Sequence, residues 1–155
     1  MPSRRELIQM SESELLAFLA ERMVMQCATV GPRGLPHLVP LWFVSDGMEL
    51  RGWTYAKSQK ARNLERDPRA TLQVEAGREY HELRGVMLRT ETTIHRDPET
   101  VLGVGLDVAC RYGGGGPLPP EAEAALRAQA AKRVALEFAE TGRSTWDHRK
   151  LGGGY

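Results

Sequence analysis

Short runs of alternating apolar and polar residues, separated by glycine, proline and Asp-Gly signals, recur along this chain and restrict it to an antiparallel sheet. A side chain on the same face at every second residue is the pattern of a half-buried strand. Residues 25–30 (MQCATV) form the first such run, and Gly31, Pro32 and Gly34 mark the turn after it. Residues 37–44 (HLVPLWFV) form the second. Asp46-Gly47 is a hairpin signal that leads into the third, residues 48–54 (MELRGWT). Residues 70–75 (ATLQVE) and 80–95 (YHELRGVMLRTETTIH, bent at Gly85) add two more. In residues 132–140 (KRVALEFAE), Val134, Leu136 and Phe138 alternate with Arg133, Ala135 and Glu137, so this segment reads as a sixth strand rather than a continued helix.

Four helices are expected around these strands. Ser11 and Glu14 form a capping box ahead of Leu15, Leu16, Phe18 and Leu19, which predicts a helix over residues 11–22. Ser58 caps a short helix over residues 59–66, which Asp67-Pro68 stops. Asp97-Pro98-Glu99 opens a helix carrying Val101, Leu102, Leu106 and Val108. A glycine-rich loop follows, and then a helix over residues 119–132 with proline in its first turn. Six strands with few helices predict a mainly β (α+β) fold, a closed or nearly closed antiparallel barrel with peripheral helices.

The chain of 155 residues is read as one domain over positions 1–155, with 41% apolar and 26% charged residues. No apolar run is long enough to span a bilayer, and the charged start MPSRRELIQMSESELL lacks a signal-peptide core. The expectation is a cytoplasmic protein without a membrane partner. Cys27 and Cys110 are far apart and without metal-ligand company, so they read as reduced structural thiols. A net charge of +1 argues against general nucleic-acid binding.

Positive charge is nevertheless concentrated locally. Between Arg51 and Arg69 stand six basic residues (Arg51, Lys57, Lys60, Arg62, Arg66 and Arg69) against two acids, Glu65 and Asp67. Ser58 and Lys60 fall at a helix start, where free N–H groups and the helix dipole favour an anion. Asn63 and Arg62 follow one turn on. A terminal phosphate suits this constellation better than a long polyanion does.

The order of these segments resembles the pyridoxamine 5′-phosphate oxidase-like split barrels. That family carries a Ser-x-Lys-x-x-Asn-Leu-x-x-Asp/Asn-Pro helix after its third strand, matched here by Ser58, Lys60, Asn63, Leu64, Asp67 and Pro68. The likeness is strongest from Thr29 to Glu75, and it continues through the long strand that ends in Asp-Pro-Glu to the C-terminus. It implies a six-stranded antiparallel split β-barrel, a homodimer, and FMN or the deazaflavin coenzyme F420 bound between the subunits. It further implies that Lys60 holds the cofactor phosphate, with Lys57, Ser58 and Asn63 around it. Arg51, Gly52, Trp53 and Thr54 would lie along the ring and ribityl chain, with Pro40, Leu41 and Trp42 near the ring.

The chain lacks the Arg-containing C-terminal substrate motif of the true oxidases, so vitamin B6 oxidation is not expected. The Arg/Ala/Gly-rich composition and the basic groove lean toward F420, whose polyglutamate tail is acidic. The implied activity is hydride transfer to or from a small molecule, with chemistry carried by the cofactor and no catalytic triad needed. A non-catalytic flavin- or haem-binding protein is the competing reading.

Among the histidines, His37 reads as structural or cleft-lining and His81 and His95 as surface positions, and no HExxH or CxxC pattern supports a metal site. Gly113–Gly116 lacks the Lys-Ser/Thr of a phosphate loop and reads as a mobile loop. In the tail, TWDHRKLGGGY, Trp146 is expected to be buried and Asp147 to turn the chain. His148, Arg149 and Lys150 would then project toward a cofactor cleft, in the family the partner's.

Overall fold

The computed structural model describes residues 1–153. Two short helices lead in, α1 (Arg4–Leu7) and α2 (Glu12–Glu21), each opened by a Ser/Glu capping box. Strands β1 (Val24–Val30) and β2 (Pro36–Trp42) form a hairpin, and β3 (Val44–Asp46) and β4 (Glu49–Tyr55) form a second. Helix α3 (Gln59–Arg66) precedes β5 (Arg69–Ala76) and β6 (Arg84–His95). Helices α4 (Pro98–Tyr112) and α5 (Pro120–Ala130) come before the last strand, β7 (Arg133–Asp147).

All seven strands form one antiparallel sheet in the order β2-β1-β5-β6-β7-β4-β3. A bulge between β6 and β7, where Arg89 faces Gly142 but Thr90 faces Glu140, helps the sheet curl. The curl brings β2 against β4 without a hydrogen-bonded ladder. A Cβ on Gly52 would meet the Trp42 carbonyl at 3.0 Å and a Leu41 methyl at 3.1 Å, so glycine permits that approach. The result is a split barrel, as expected, with seven strands rather than six.

The extra strand comes from a break at Phe43. Its N–H donates to the Tyr112 hydroxyl at 3.0 Å, and its carbonyl accepts from Arg111. The main chain is therefore bonded to α4 at this point, and residues 44–46 pair separately with β4. Two other expectations are corrected. Residues 80–82 form a 3-10 turn rather than strand, and β6 begins at Arg84. The last strand runs on past residue 140: β7 extends to Asp147 and pairs with β6 from Ala135 onward except at the bulge, and residues 148–151 then form a 3-10 turn.

Two apolar layers result. Inside the barrel, Leu50, Leu72, Val86, Leu88, Val134, Leu136 and Phe138 pack with Leu15, Phe18 and Leu19, the buried stripe of α2. Outside it, Trp53, Val44 and Ala135 pack against Val101, Val104 and Val108 of α4 and Ala130 of α5. Strand β4 separates the layers, since alternate residues point to opposite faces. No helix among the described residues is long and apolar enough to cross a membrane.

Candidate functional site

Alternation along β4 divides the predicted cofactor residues into two groups. Thr54 follows Leu50 and Gly52 on the barrel side, whereas Arg51 and Trp53 face the other way. The basic helix α3 lies at the barrel side and the α4–α5 pair at the outer side.

On the barrel side the main feature is a buried cation. Ser58 caps α3 by accepting from Ala61 N–H at 3.1 Å, and Thr54 Oγ1 donates to Ser58 Oγ at 3.4 Å. Lys60, in the first turn, is only 6% exposed and donates from Nζ to Thr54 Oγ1 at 3.3 Å. It pairs with no carboxylate among the described residues. Burial holds its ammonium pKa below the usual lysine range; the Cys27 thiol works against that shift and the charge of Arg133 adds to it. Cys27 is itself pushed up to about 11 by burial, so it is a neutral thiol at physiological pH.

Asn63 explains why Lys60 is held so firmly. It is fully buried, and its Nδ2 donates to Thr29 Oγ1 on β1 at 3.0 Å. Its Oδ1 accepts from Gln59 and from Arg66, at 2.8 and 3.1 Å. The amide is thus taken up by protein partners and fixes α3 to the barrel. Lys57 is exposed just before the helix.

The outer side holds a cavity of about 680 Å³ between β2, β4, α4 and α5. Pro40, Leu41, Trp42 and Trp53, all predicted near a ring, line it together. Trp42 stacks on Tyr112 of α4, with ring centres 4.1 Å apart and 13° between planes. Arg51 is turned toward the β3–β4 hairpin, 3.6 Å from both Asp46 and Glu49.

One residue of this cavity escaped the sequence reading. Arg133, the first residue of β7, places its guanidinium over Trp53 at 4.5 Å and over Tyr55 at 4.1 Å. The β4–β7 register, with Tyr55 opposite Arg133, creates the pair. In sequence Arg133 reads only as a polar position in an alternating strand, and nothing local marks its neighbours.

Trp146 and His148 lie at the other end of β7 from these groups. Trp146 is half-buried and covers Gly85, where a Cβ would approach its ring to 2.5 Å. His148 bonds through Nδ1 with the Tyr80 carbonyl at 3.0 Å. Arg149 is paired with Asp147, and Lys150 with Glu14 and the Gln9 carbonyl. Within one protomer these cations are engaged by the chain's own groups, and they do not meet Lys60. Gly154 and Tyr155, the end of the predicted tail, lie outside the described residues.

Comparison with known proteins agrees with this fold. The family described as pyridoxamine 5′-phosphate oxidase matches residues 11–141. A crystal structure of the conserved hypothetical protein Rv2991 from Mycobacterium tuberculosis is 39% identical, with a TM-score of 0.89, over 99% of this chain and 95% of that one. A protein described as an F420 reductase is 27% identical, with a TM-score of 0.65, over 93% and 98% of the two chains. HutZ, the heme storage protein from Vibrio cholerae, shares the fold at 20% identity and a TM-score of 0.68, over 86% and 94%. No curated protein matches the chain.

Proposed function

Because this chain belongs to the pyridoxamine 5′-phosphate oxidase family, we propose that it binds a phosphate-bearing flavin or deazaflavin and uses it to exchange hydride with a small molecule. The observation that carries the proposal is Lys60: a buried cation at a helix start, beside two hydroxyls, with no carboxylate to neutralise it. A phosphate supplies the missing charge, and the free N–H groups of the first turn of α3 add donors. The residues present therefore fit the phosphate end of FMN or F420. The likeness to the F420 reductase favours the deazaflavin.

In this reading the cofactor supplies the hydride chemistry, and the chain supplies position and exclusion of water. Lys60, Ser58 and Thr54 fix the phosphate, and Asn63 holds the helix that carries them. Pro40, Leu41, Trp42 and Trp53 give the ring end an apolar wall. In the proposed dimer a partner would cover Trp42, and the lower water access would strengthen each polar contact made by the few donors present.

The site is proposed to form in a homodimer. Leu38 and Trp42 on edge strand β2, with Val24 on β1 and Leu35 in the turn, are 63%, 54%, 41% and 64% exposed. An apolar edge strand of this kind favours a covering partner. A second copy is also what would bring the far end of β7, with Trp146 and His148, to a cofactor cleft. A single ~17 kDa species in sedimentation, the 17.3 kDa chain itself, would contradict the dimer.

Titration of the apo-protein with FMN and with F420 tests the central claim. Lys60→Ala is expected to weaken the bound cofactor by about 1.5–3 kcal/mol, the range for a charge-assisted bond. Unchanged affinity would remove the phosphate grip. The competing non-catalytic reading has one supporting observation, the half-buried His37, whose Nδ1 has no hydrogen-bond partner. A Soret band on adding haemin, without turnover of any acceptor, would favour it.

A further inference from the structure

The outer cavity is chemically unlike a phosphate site. Its walls are Trp42, Trp53, Val108, Leu126 and the α4 backbone at Gly105, and the polar side chains among its lining residues are Gln129 and Arg133. Arg133 is placed as a recognition group. Two aromatic faces hold its guanidinium, which fixes the direction of its donors at small entropic cost. Its Nε is buried and has no hydrogen-bond partner, and the residue joins no ion pair among the described residues. The contrast with its neighbours is informative. A second cavity, of about 460 Å³, shares Arg133 with Arg96 and Arg127, but Arg96 is paired with Glu65 and Arg127 with Glu123. Arg133 is the cation of the three left to meet a ligand.

We propose that the outer cavity binds a small, planar and mainly apolar molecule carrying one carboxylate, with Arg133 as the anchoring cation. A volume near 680 Å³ is in the range that encloses small organic ligands. The Trp42–Tyr112 stack and the Trp53 ring give flat surfaces for a flat body. One guanidinium with one amide matches a single carboxylate. A phosphorylated or sugar-like ligand would leave most of its polar groups facing apolar walls. The proposal rests on the redox reading, in which the cofactor ring lies against the same Trp42 and Trp53 wall and this molecule is the substrate beside it; the apo-protein binds the molecule without the cofactor.

The test uses two fluorescent probes of similar aromatic body and different charge: anionic 8-anilinonaphthalene-1-sulfonate and neutral N-phenyl-1-naphthylamine. The apo-protein is expected to bind the anion more tightly, with an affinity that falls as salt is added. Arg133→Met keeps an unbranched apolar stem between the two rings. It is expected to weaken the anion at least tenfold and leave the neutral probe within twofold. Arg133→Gln is expected to do the same, and serves if the Met variant does not fold. Lys60→Ala should leave the neutral probe unchanged and weaken the anion far less than the Arg133 variants do, since the Lys60 charge is felt at Arg133 but does not line the cavity. Equal anion binding by the wild type and the folded Arg133 variants overturns the proposal, as does joint loss of both probes. Loss of the anion in Lys60→Ala instead of the Arg133 variants also overturns it. Failure of FMN and F420 to bind, with the probe pattern intact, would defeat the redox reading and leave this site standing.

Discussion

Trp53 packs directly on the backbone of Gly105: a Cβ on that helical residue would come within 2.5 Å of the indole atom Cζ3. The contact joins β4 to α4 and forms the inner corner of the outer cavity. Alanine at position 105 gains about 1 kcal/mol of helix propensity. Overpacking of a buried ring costs about 1–3 kcal/mol and prevails because the indole is rigid and closely surrounded. Gly105→Ala should therefore unfold at lower urea concentration, by up to about 2 kcal/mol in total. A variant as stable as the wild type would show that Trp53 can step aside freely.

Lys60 links stability to binding with opposite signs. Burial lowers its pKa, so the folded state bears a cost while the ammonium is charged. The sign follows from proton counts. Between the folded pKa and the ordinary lysine value of 10.5, the unfolded chain holds more protons at this position, so its contribution to stability rises with pH and the cost is full below the folded pKa. Lys60→Met removes the charge and keeps the stem. It should raise the melting temperature of the apo-protein at neutral pH, by about 1 kcal/mol equivalent, while weakening a phosphate-bearing cofactor. A variant both less stable and unchanged in binding would contradict both halves.

The two thiols should separate in a simple titration. Cys27 is fully buried and its pKa stands at about 11, whereas Cys110 is half-exposed on α4. The thiolate is the reactive form, so one thiol per chain should react with a disulfide reagent near pH ~8 and the second only after unfolding. Cys27 also has a sign of its own. Its folded pKa lies above the ordinary thiol value of 9.0, so its contribution to stability falls as pH rises from 9.0 to about 11. Rapid reaction of both thiols in the native protein would show that the barrel opens readily.

At the far end of β7, Trp146 covers Gly85 and Val74 lies beneath the same glycine. Trp146→Ala should cost about 1–2 kcal/mol, less than a fully buried aromatic, because the ring is only half-buried. His148→Ala is the sharper probe of the proposed partner site. Its ring bonds an exposed carbonyl and rests against Tyr80, while its backbone N–H bond to Leu83 survives the substitution, so only a small change of melting temperature is expected. Weaker cofactor binding by a stable His148→Ala dimer would place this end of β7 at the site. Unchanged binding would confine it to folding.

Local signals accounted for much of what was legible. Helix α3 matches its predicted bounds because Ser58 and the Asp67-Pro68 stop act within a few residues of the helix they limit. The place of Lys60 in the first turn of α3 was legible for the same reason. Phe43 was not, because its strand is broken by Tyr112 and Arg111, nearly seventy positions away in a helix that must first dock. The extension of the last strand past residue 140 was missed because residues 141–147 show weak alternation, and their strand character comes from the ladder that β6 offers them.

By itself, the sequence determined most strands and helices, the caps, and the helix that presents Lys60, since these depend on periodicity and on side chains that bond within a turn. Only the tertiary structure decided that Thr54 and Trp53, adjacent in the chain, serve different compartments, one with Lys60 and the other with Arg133. The physical reason is that a strand's alternation fixes opposite faces but not what covers them. In β4 the covering groups come from α3 on one side and from α4, α5 and β7 on the other, through contacts that no local pattern encodes.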